Sequence, residues 1–383
     1  MPAIVTRPLL GAASAAILAA IATVASAQQV LIVGNDNKSQ GLGKDQIQIF
    51  DIADPANPKL SVSLALENSL SGPPTNMAVV PGNQIALVAN SVHATEEAGR
   101  RVQNPGSQLY VIDLTARPPA LLATIETGKQ PSGLAVSPKG DLAMVTFRND
   151  NAIGVFSIAG KAVKLIDTIA MGDAVSAVTF TPDGKHALAA KVNVSKIAWL
   201  DIDGTKVTYN KYDMTVGVWP YNVVASPKGD IALVANTSNN GGADGGVDTV
   251  AVIDLTATPA RVIDYVTVGD APEGLAFSPA GDYAVVAIQN GGNARPDAFY
   301  FHKNGLVQLL RVDGKKVTRV GAAEVGGFPE GIAVSPNGKY VYVGGNVSND
   351  LAVLEVNGNT IKEVGTRISL PGQMPASMAA SPK

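Results

Sequence analysis

An eight-residue pattern recurs along most of this chain and limits the folds that it can adopt. The pattern opens with Pro in nearly every copy, continues with small and apolar residues, and closes with a second Pro. The copies are Pro74–Pro81, Pro131–Pro138, Val175–Pro182, Pro220–Pro227, Pro272–Pro279, Pro329–Pro336 and Pro375–Pro382. Their starts lie 44–57 residues apart, so the chain is a repeat protein, although 383 residues would otherwise suggest two or three domains.

Each repeat predicts four short strands, which we name A to D in chain order. In the third repeat, strand A is Ala177–Thr181, strand B is His186–Lys191 and strand C is Lys196–Asp201, with Pro-x-Gly and Asp-Gly turns between strands. Pro suits the second position of such turns, and Gly tolerates a positive φ near their ends. A four-stranded antiparallel sheet cannot bury both faces alone. Repeats of this size therefore predict blades stacked around an axis, a β-propeller.

The two ends of the chain predict one further blade. The segment from Val30 supplies strands B, C and D, with C at Ile47–Ile52 and D at Leu60–Leu66, and Pro375–Pro382 supplies strand A. The predicted fold is thus an all-β, seven-bladed propeller of four-stranded antiparallel blades. Sealing the ring with both termini removes sheet edges that would otherwise promote aggregation.

Residues 1–27 have the pattern of a cleaved export signal. Arg7 precedes an apolar run at 9–24, and Ala25-Ser26-Ala27 is a small-x-small cleavage site. The alternative, a membrane anchor, fits less well, because the run is short and rich in Ala. We therefore expect residues 28–383 to form one propeller domain that is monomeric, located in the periplasm of a Gram-negative bacterium or outside the cell, and not attached to the membrane.

Composition excludes several classes of site. The chain has no Cys, which rules out disulfides, thiolate metal sites and c-type haem, and its 3 His are too few for a His-rich metal site. It has no cluster of basic residues, so we expect no nucleic-acid partner. With only 2 Trp it also lacks the Trp-rich blades of dehydrogenases that use pyrroloquinoline quinone, and we expect neither haem nor PQQ.

Two stretches resemble a known repeat family. Tyr340–Val356 (YVYVGGNVSNDLAVLEV) and the pair Ile231–Asn236 and Thr249–Asp254 are similar to YVTN-type propeller repeats, and the likeness extends over most of the mature chain. That superfamily includes the lactonase-like seven-bladed propellers. The resemblance implies the propeller fold, and it implies lactone hydrolysis as one possible activity, since one fold hosts many activities.

The order of the strands predicts which loops share a face. The B-to-C loops and the D-to-A loops meet on one face, here called the top face, and tight turns occupy the other. The long B-to-C loops are residues 35–44, 91–107, 237–248 and 289–304, which form two adjacent pairs on opposite sides of the ring. We expect either two walls with a cleft between them, where a small molecule or a protein partner binds, or simple surface insertions.

Glu273 and Glu330 occupy equivalent positions at the entrance to strand A of neighbouring blades, and Asn76 and Asn222 lie near the same rim. A pair of carboxylates with amide oxygens nearby could bind a divalent cation such as Ca²⁺ or Mg²⁺, or supply a general base. The alternative is that Glu in a Pro-Glu-Gly loop is simply solvated. Glu330 and Glu273 are therefore the first candidates for catalysis and for metal binding.

Other residues of the top-face loops are candidates too. His93 and His302 could act as acid or base. Arg148 suits an anionic ligand because its guanidinium binds carboxylate or phosphate with two donors, although it could instead pair with Asp150. Trp219 could stack on a flat ligand or serve packing. The remaining candidates are Lys38, Lys191, Arg295, Asn346 and the Gly- and Asp-rich loop 236–248, which could surround Ca²⁺ but is more typical of a flexible loop.

Three functions are compatible with these features. The first is an exported propeller that binds a small molecule, a metal or a protein across its top face. The second is a lactonase-like hydrolase in which Glu273 or Glu330, with or without a cation, activates water while Arg148 holds an acidic substrate. The third is a structural subunit of a periplasmic redox complex.

Overall fold

The computed structural model describes residues 1, 28–36, 45–370 and 373–382 of the chain. The predicted export signal and Lys38 lie outside these residues. The described residues form seven antiparallel sheets, each with a path of four strands, and contain almost no helix. None of the helices within the described residues is long and apolar enough to cross a membrane. The all-β propeller prediction is confirmed.

The strands follow the predicted order in every blade. Those of blades 1 to 3 are Met77–Val79, Ile85–Glu97, Arg100–Asp113, Ala120–Glu126; Pro131–Val136, Leu142–Phe147, Ala152–Ala159, Ala162–Ala170; Val175–Phe180, His186–Lys191, Lys196–Asp203, Lys206–Thr215. Those of blades 4 to 6 are Pro220–Ala225, Ile231–Asn236, Asp248–Asp254, Arg261–Gly269; Pro272–Phe277, Tyr283–Ile288, Gly305–Asp313, Lys316–Val325; Pro329–Val334, Tyr340–Gly345, Asp350–Asn357, Thr360–Glu363, with Ile368–Ser369 added. The closing blade comprises Pro375–Ala380, Val30–Asn35, Gln46–Asp51 and Lys59–Leu64, and two 3-10 turns lie at Arg148–Asp150 and Asn239–Gly241.

The seven A strands surround the axis, and each contacts the A strands of both neighbouring blades. Small residues make this approach possible. A Cβ placed on Gly133 would lie 2.4 Å from the carbonyl oxygen of Ser176 in the next blade, and one on Gly274 would lie 2.2 Å from that of Glu330. Real Cβ atoms do not come so close, so Gly at the third position of strand A sets the spacing of these blades.

The termini seal the ring as predicted. Strand A at Pro375–Ala380 pairs with strand B at Val30–Asn35, with Val33 opposite Met378. The Ser381 backbone N–H donates to the Val30 carbonyl at 2.8 Å, and the Val30 N–H donates to Ser381 Oγ at 2.9 Å. The first and last parts of the chain thus share one sheet.

Ion pairs join neighbouring blades on the bottom face. Lys161 Nζ in blade 2 lies 2.7 Å from Asp113 Oδ2 in blade 1, and Lys315 Nζ in blade 5 lies 2.7 Å from Asp254 Oδ2 in blade 4. The hydrogen bond from Lys161 lowers the pKa of Asp113 to about 2. Burial alone would raise the pKa of Asp254, but hydrogen bonds from Lys315 and Thr256 outweigh it and lower the value to about 2.

We expect Lys315→Met to destabilise the protein by about 1 kcal/mol at neutral pH. The figure is below the full linkage value because the Lys315 side chain is 45% exposed and solvent screens the pair. A carboxyl with a depressed pKa contributes stability above its unfolded value near 3.8, and this is lost as pH falls toward about 2. Denaturant unfolding from pH 7 to 2 measures the effect.

The matched control is Lys316→Met, which removes the same charge from the adjacent exposed residue. The difference between the two variants should shrink as the solution is acidified. A difference that stays constant over this pH range would show that the Lys315–Asp254 pair does not contribute through charge.

Candidate functional site

The channel mouth on the top face is built from two positions of the repeat, each of which recurs from blade to blade. One is the second residue of strand A, which is Tyr221, Glu273 and Glu330 in blades 4, 5 and 6. The other is the residue that follows strand B, which is Arg148 in blade 2, Gln289 in blade 5 and Asn346 in blade 6. These six side chains make up what we call the mouth.

A recurring backbone contact positions the second group. The N–H groups of Arg148, Gln289 and Asn346 each donate, at 3.0 Å, to the carbonyl of the residue just before strand A of their own blade. Those acceptor residues are Gln130, Ala271 and Phe328, and all have left-handed φ of 54–59°. The repeat therefore fixes both positions of the mouth relative to one another.

Arg148 is half-buried and reaches across the mouth from blade 2. Its Nη1 donates to the Ser71 carbonyl at 2.8 Å, and its Cζ lies 6.0 Å from the centre of the Tyr221 ring. The alternative of a pair with Asp150 is not what the structure shows, since Asp150 Oδ2 accepts the Lys129 backbone N–H at 2.7 Å. Arg148 thus directs a cation at the mouth.

Tyr221 is the point at which the charged groups converge. Burial raises the pKa of its hydroxyl, and the negative charge of Glu273 raises the pKa further. The Arg148 guanidinium lowers the pKa, and the charge of Glu330 raises it again. Two carboxylates and one guanidinium therefore lie close enough to affect one phenol. The phenol is neutral at physiological pH and can donate or accept a hydrogen bond.

The two carboxylates differ in environment. Glu273 is 3% exposed, and its Oε1 accepts Gln289 Nε2 at 2.5 Å. Glu330 is half-buried, and its Oε2 accepts Asn346 Nδ2 at 3.3 Å. Glu330 and Arg148 are thus the charged groups that water and ligands can reach, and Glu273 and Tyr221 lie beneath them.

A channel lies under the mouth. The fourth residue of the eight-residue pattern in each blade borders it, and all seven are buried: Met77, Leu134, Val178, Val223, Leu275, Ile332 and Met378. They line a cavity of about 180 Å³ together with Thr75, Thr179 and Asn222. The channel therefore combines apolar side chains with polar ones.

The structure places other predicted residues away from the mouth surface. Asn76 is buried and donates to the carbonyls of Asn68 and Ala89 at 3.1 and 2.9 Å. Asn222 is buried and donates to the Glu273 carbonyl in the next blade at 3.2 Å, so it supports Glu273 through the backbone. Lys191 is buried within blade 3, where its Nζ lies 2.9 Å from Asp213 Oδ2.

The histidines and Arg295 are also remote from the mouth residues. His302 is exposed and contacts the Tyr300 carbonyl through Nδ1 at 3.1 Å, and Arg295 is 85% exposed beside Asp297. His93 lies 2.6 Å from Glu67 Oε2. The predicted loop 91–107 around His93 is wrong, because strands Ile85–Glu97 and Arg100–Asp113 continue as a hairpin paired to its tip.

The loop at 237–248 is ordered by two aspartates. Asp270 accepts the backbone N–H groups of Asp244 and Gly245, and Asp248 Oδ2 accepts that of Ala271. No group of three or more His, Asp or Glu that could hold a metal ion is found among the described residues. Asp270 and Asp248 here accept hydrogen bonds from backbone N–H groups, which orders a loop for which the sequence favoured flexibility over a Ca²⁺ site.

Sequence reasoning missed two mouth residues, Tyr221 and Gln289. Tyr221 is the equivalent of Glu273 and Glu330 in its own copy of the pattern, so aligning second positions would have found it. Gln289 is the equivalent of Arg148 after strand B. The signal was the position within the repeat and not the residue type.

Comparison with known proteins finds the same fold. No family model and no curated protein matches the sequence. A provisionally assigned 6-phosphogluconolactonase of Bacteroides fragilis matches with a TM-score of 0.72 and 18% identity, covering 94% of this chain and 99% of that one. The periplasmic gluconolactonase of Pseudomonas aeruginosa matches at 0.64 and 16% identity, covering 92% and 99%. Hydrazine synthase of Kuenenia stuttgartiensis matches at 0.59 and 21% identity, covering 76% and 78%.

Likeness at such low identity establishes the shared propeller fold and no activity. The resemblance to YVTN-type repeats stays a prediction, since no family model matches.

Gly274→Ala should disturb the mouth without touching its side chains. The added Cβ would meet the Glu330 backbone, so blades 5 and 6 must separate, and we expect a loss of about 1–3 kcal/mol in unfolding free energy. Gly242→Ala is the control, because its Cβ would lie at an ordinary contact distance of 3.6 Å. Thermal unfolding of both variants measures this, and equal stability would contradict the spacing role of Gly274.

Proposed function

We propose that the mouth binds a small polar molecule and hydrolyses it in the manner of a lactonase. The observation that carries this proposal is the grouping of charges at the mouth: Arg148 lies 6.0 Å from the centre of the Tyr221 ring, and Glu273 and Glu330 hold the position of Tyr221 in the next two blades. Carboxylates can take a proton from water, and a guanidinium stabilises negative charge that develops on a carbonyl oxygen. The fold shared with a gluconolactonase of P. aeruginosa adds support.

Glu330 is the proposed general base. It takes a proton from water as the oxygen attacks the lactone carbonyl carbon, and the carbonyl oxygen becomes negatively charged. Arg148 stabilises that oxyanion, held in place by Ser71 and Tyr221. When the ring C–O bond breaks, Glu330 returns the proton to the leaving alkoxide. The product is a hydroxy acid whose carboxylate also suits Arg148.

Glu273 has a different role in this proposal. It is buried and hydrogen-bonded to Gln289, so it makes the electrostatic potential at the mouth more negative. It also acts as a positioning residue for the other mouth side chains. A divalent cation between Glu273 and Glu330 remains a second form of the same hypothesis. Amide oxygens of Gln289 and Asn346 would then complete its ligands.

The other hypotheses predict different results for the same protein. A binding protein would hold a lactone or its hydroxy acid without turnover. A subunit of a redox complex would neither bind nor hydrolyse a lactone. The support for this hypothesis is the fold that the chain shares with hydrazine synthase. We also propose export of the chain, which predicts that the mature protein begins at Gln28.

Purified protein should hydrolyse lactones, and Glu330→Gln should lower kcat by at least about 10²-fold, the usual contribution of a general base. Glu355→Gln is the matched control, because Glu355 is exposed on strand C of the same blade. Turnover that Glu330→Gln leaves unchanged would contradict the role of Glu330.

The same assay separates the alternatives. Lactone binding without turnover would favour the binding protein. Activity lost in a chelator and restored by Ca²⁺ or Mg²⁺ would favour the cation form, and activity that a chelator leaves unchanged would contradict it.

A further inference from the structure

Large apolar side chains are exposed on one half of the top face. They lie in the B-to-C loops of blades 3 to 6 and beside the mouth, and they are Val194 (46% exposed), Val218 (63%), Val247 (69%), Phe299 (89%) and Val347 (49%). We call this set the apolar rim. Single exposed apolar residues are normal, but a group confined to one side of a candidate site indicates a contact surface.

The apolar rim adjoins the mouth directly. Val218 precedes Trp219, whose ring lies over Gly241, and Val347 follows Asn346, which bonds Glu330. Gly241 also approaches the Tyr221 ring, and its carbonyl accepts Gln289 Nε2 at 3.0 Å. Two members of the rim are therefore chain neighbours of residues that contact the mouth.

The rim also extends outward from the mouth. Gly245 lies four residues beyond Gly241, at most about 14 Å along the chain. A Cβ on Gly245 would lie 2.9 Å from the Phe299 ring, so that ring packs on the 237–248 loop. Val247 continues the same loop. The 237–248 loop thus runs from the edge of the mouth to Phe299, with Val247 exposed on it.

The opposite side of the top face is polar. Blade 2 presents the short loop 148–151, and blade 1 presents a hairpin with Glu96, Glu97 and Arg100 at its end. Within the described residues of blades 1, 2 and the closing blade, no large apolar side chain of a B-to-C loop is exposed to this degree. A ligand held at the mouth would therefore meet the apolar rim on the side of blades 3 to 6.

Trp219 marks the junction of the polar and apolar surfaces. Its indole Nε1 is buried with no hydrogen-bond partner among the described residues. A ligand would therefore meet the partly exposed indole ring rather than Nε1, and the ring would contact apolar atoms of that ligand.

We propose that the substrate is an amphiphile, a lactone that carries an alkyl or acyl chain. The lactone head enters the mouth between Glu330 and Arg148, and the chain lies along Val218, Val247 and Phe299. The lactone identity of the head group rests on the proposed function. The presence of an alkyl or acyl chain is inferred from the apolar rim alone.

Lactones with the same ring and short, medium or long alkyl substituents test the proposal. Binding and kcat/KM should both improve by about two- to fourfold per added methylene until the rim is covered. Trp219 fluorescence reports binding in the Trp199→Phe protein, because the chain has only 2 Trp. The double variant Val247→Ser/Phe299→Ser should lose the dependence on chain length and keep its activity on the shortest lactone.

The control is Ile263→Ser, which removes an exposed apolar side chain from outer strand D of blade 4 and should change nothing. Wild-type protein with no dependence on chain length would overturn the inference, even if short lactones are hydrolysed. Binding that depends on chain length, without hydrolysis, would support an amphiphilic ligand and contradict the proposed lactonase activity. Self-association that the double variant abolishes, without any chain-length effect, would assign the rim to a second copy and overturn the proposal.

Discussion

Close packing of seven A strands around one axis is the constraint on which the rest of the structure depends. Gly133 and Gly274 face the backbone of the next blade at distances that leave no room for a side chain. Where the third position is Asn222, its amide instead bonds the carbonyl of the next A strand. In both cases the third position joins blades and leaves the second and fourth positions for the channel.

The second and fourth positions of the pattern therefore have different surroundings. Fourth positions such as Leu134 and Ile332 are apolar in every blade, because they pack in the hydrophobic core between blades where it borders the channel. Second positions lie at the open end, where side chains are free to differ. Blades 4 to 6 use this freedom to bring Tyr221, Glu273 and Glu330 together, and Arg148 supplies the opposite charge from blade 2.

The fold was predictable because the repeat carries it. Pro and Gly mark each A-to-B turn, and the half-repeats at the two ends predict the sealed blade that Val33 and Met378 form. The site was predictable only in part. Glu273 and Glu330 were found from their place in the pattern and Arg148 from its place in a top-face loop. Gln289, which bonds Glu273, could be found only by aligning the residues that follow strand B.

Loops were the least predictable part, for physical reasons. Residues 91–107 have turn-forming Gly and Asn, yet their two arms pair as a hairpin from Val92 opposite Pro105 to Glu97 opposite Arg100. The order of loop 237–248 depends on Asp270, a residue of the D-to-A connection. Contacts of this kind join segments that are distant in sequence and leave no local pattern.

The most direct test of the account is a crystal structure of the protein with the hydroxy-acid product of an alkyl lactone bound. The account predicts the product carboxylate within hydrogen-bond distance of Arg148, next to Glu330, with the alkyl chain toward Phe299. A product bound elsewhere on the propeller, or a mouth that stays empty at saturating product, would contradict it.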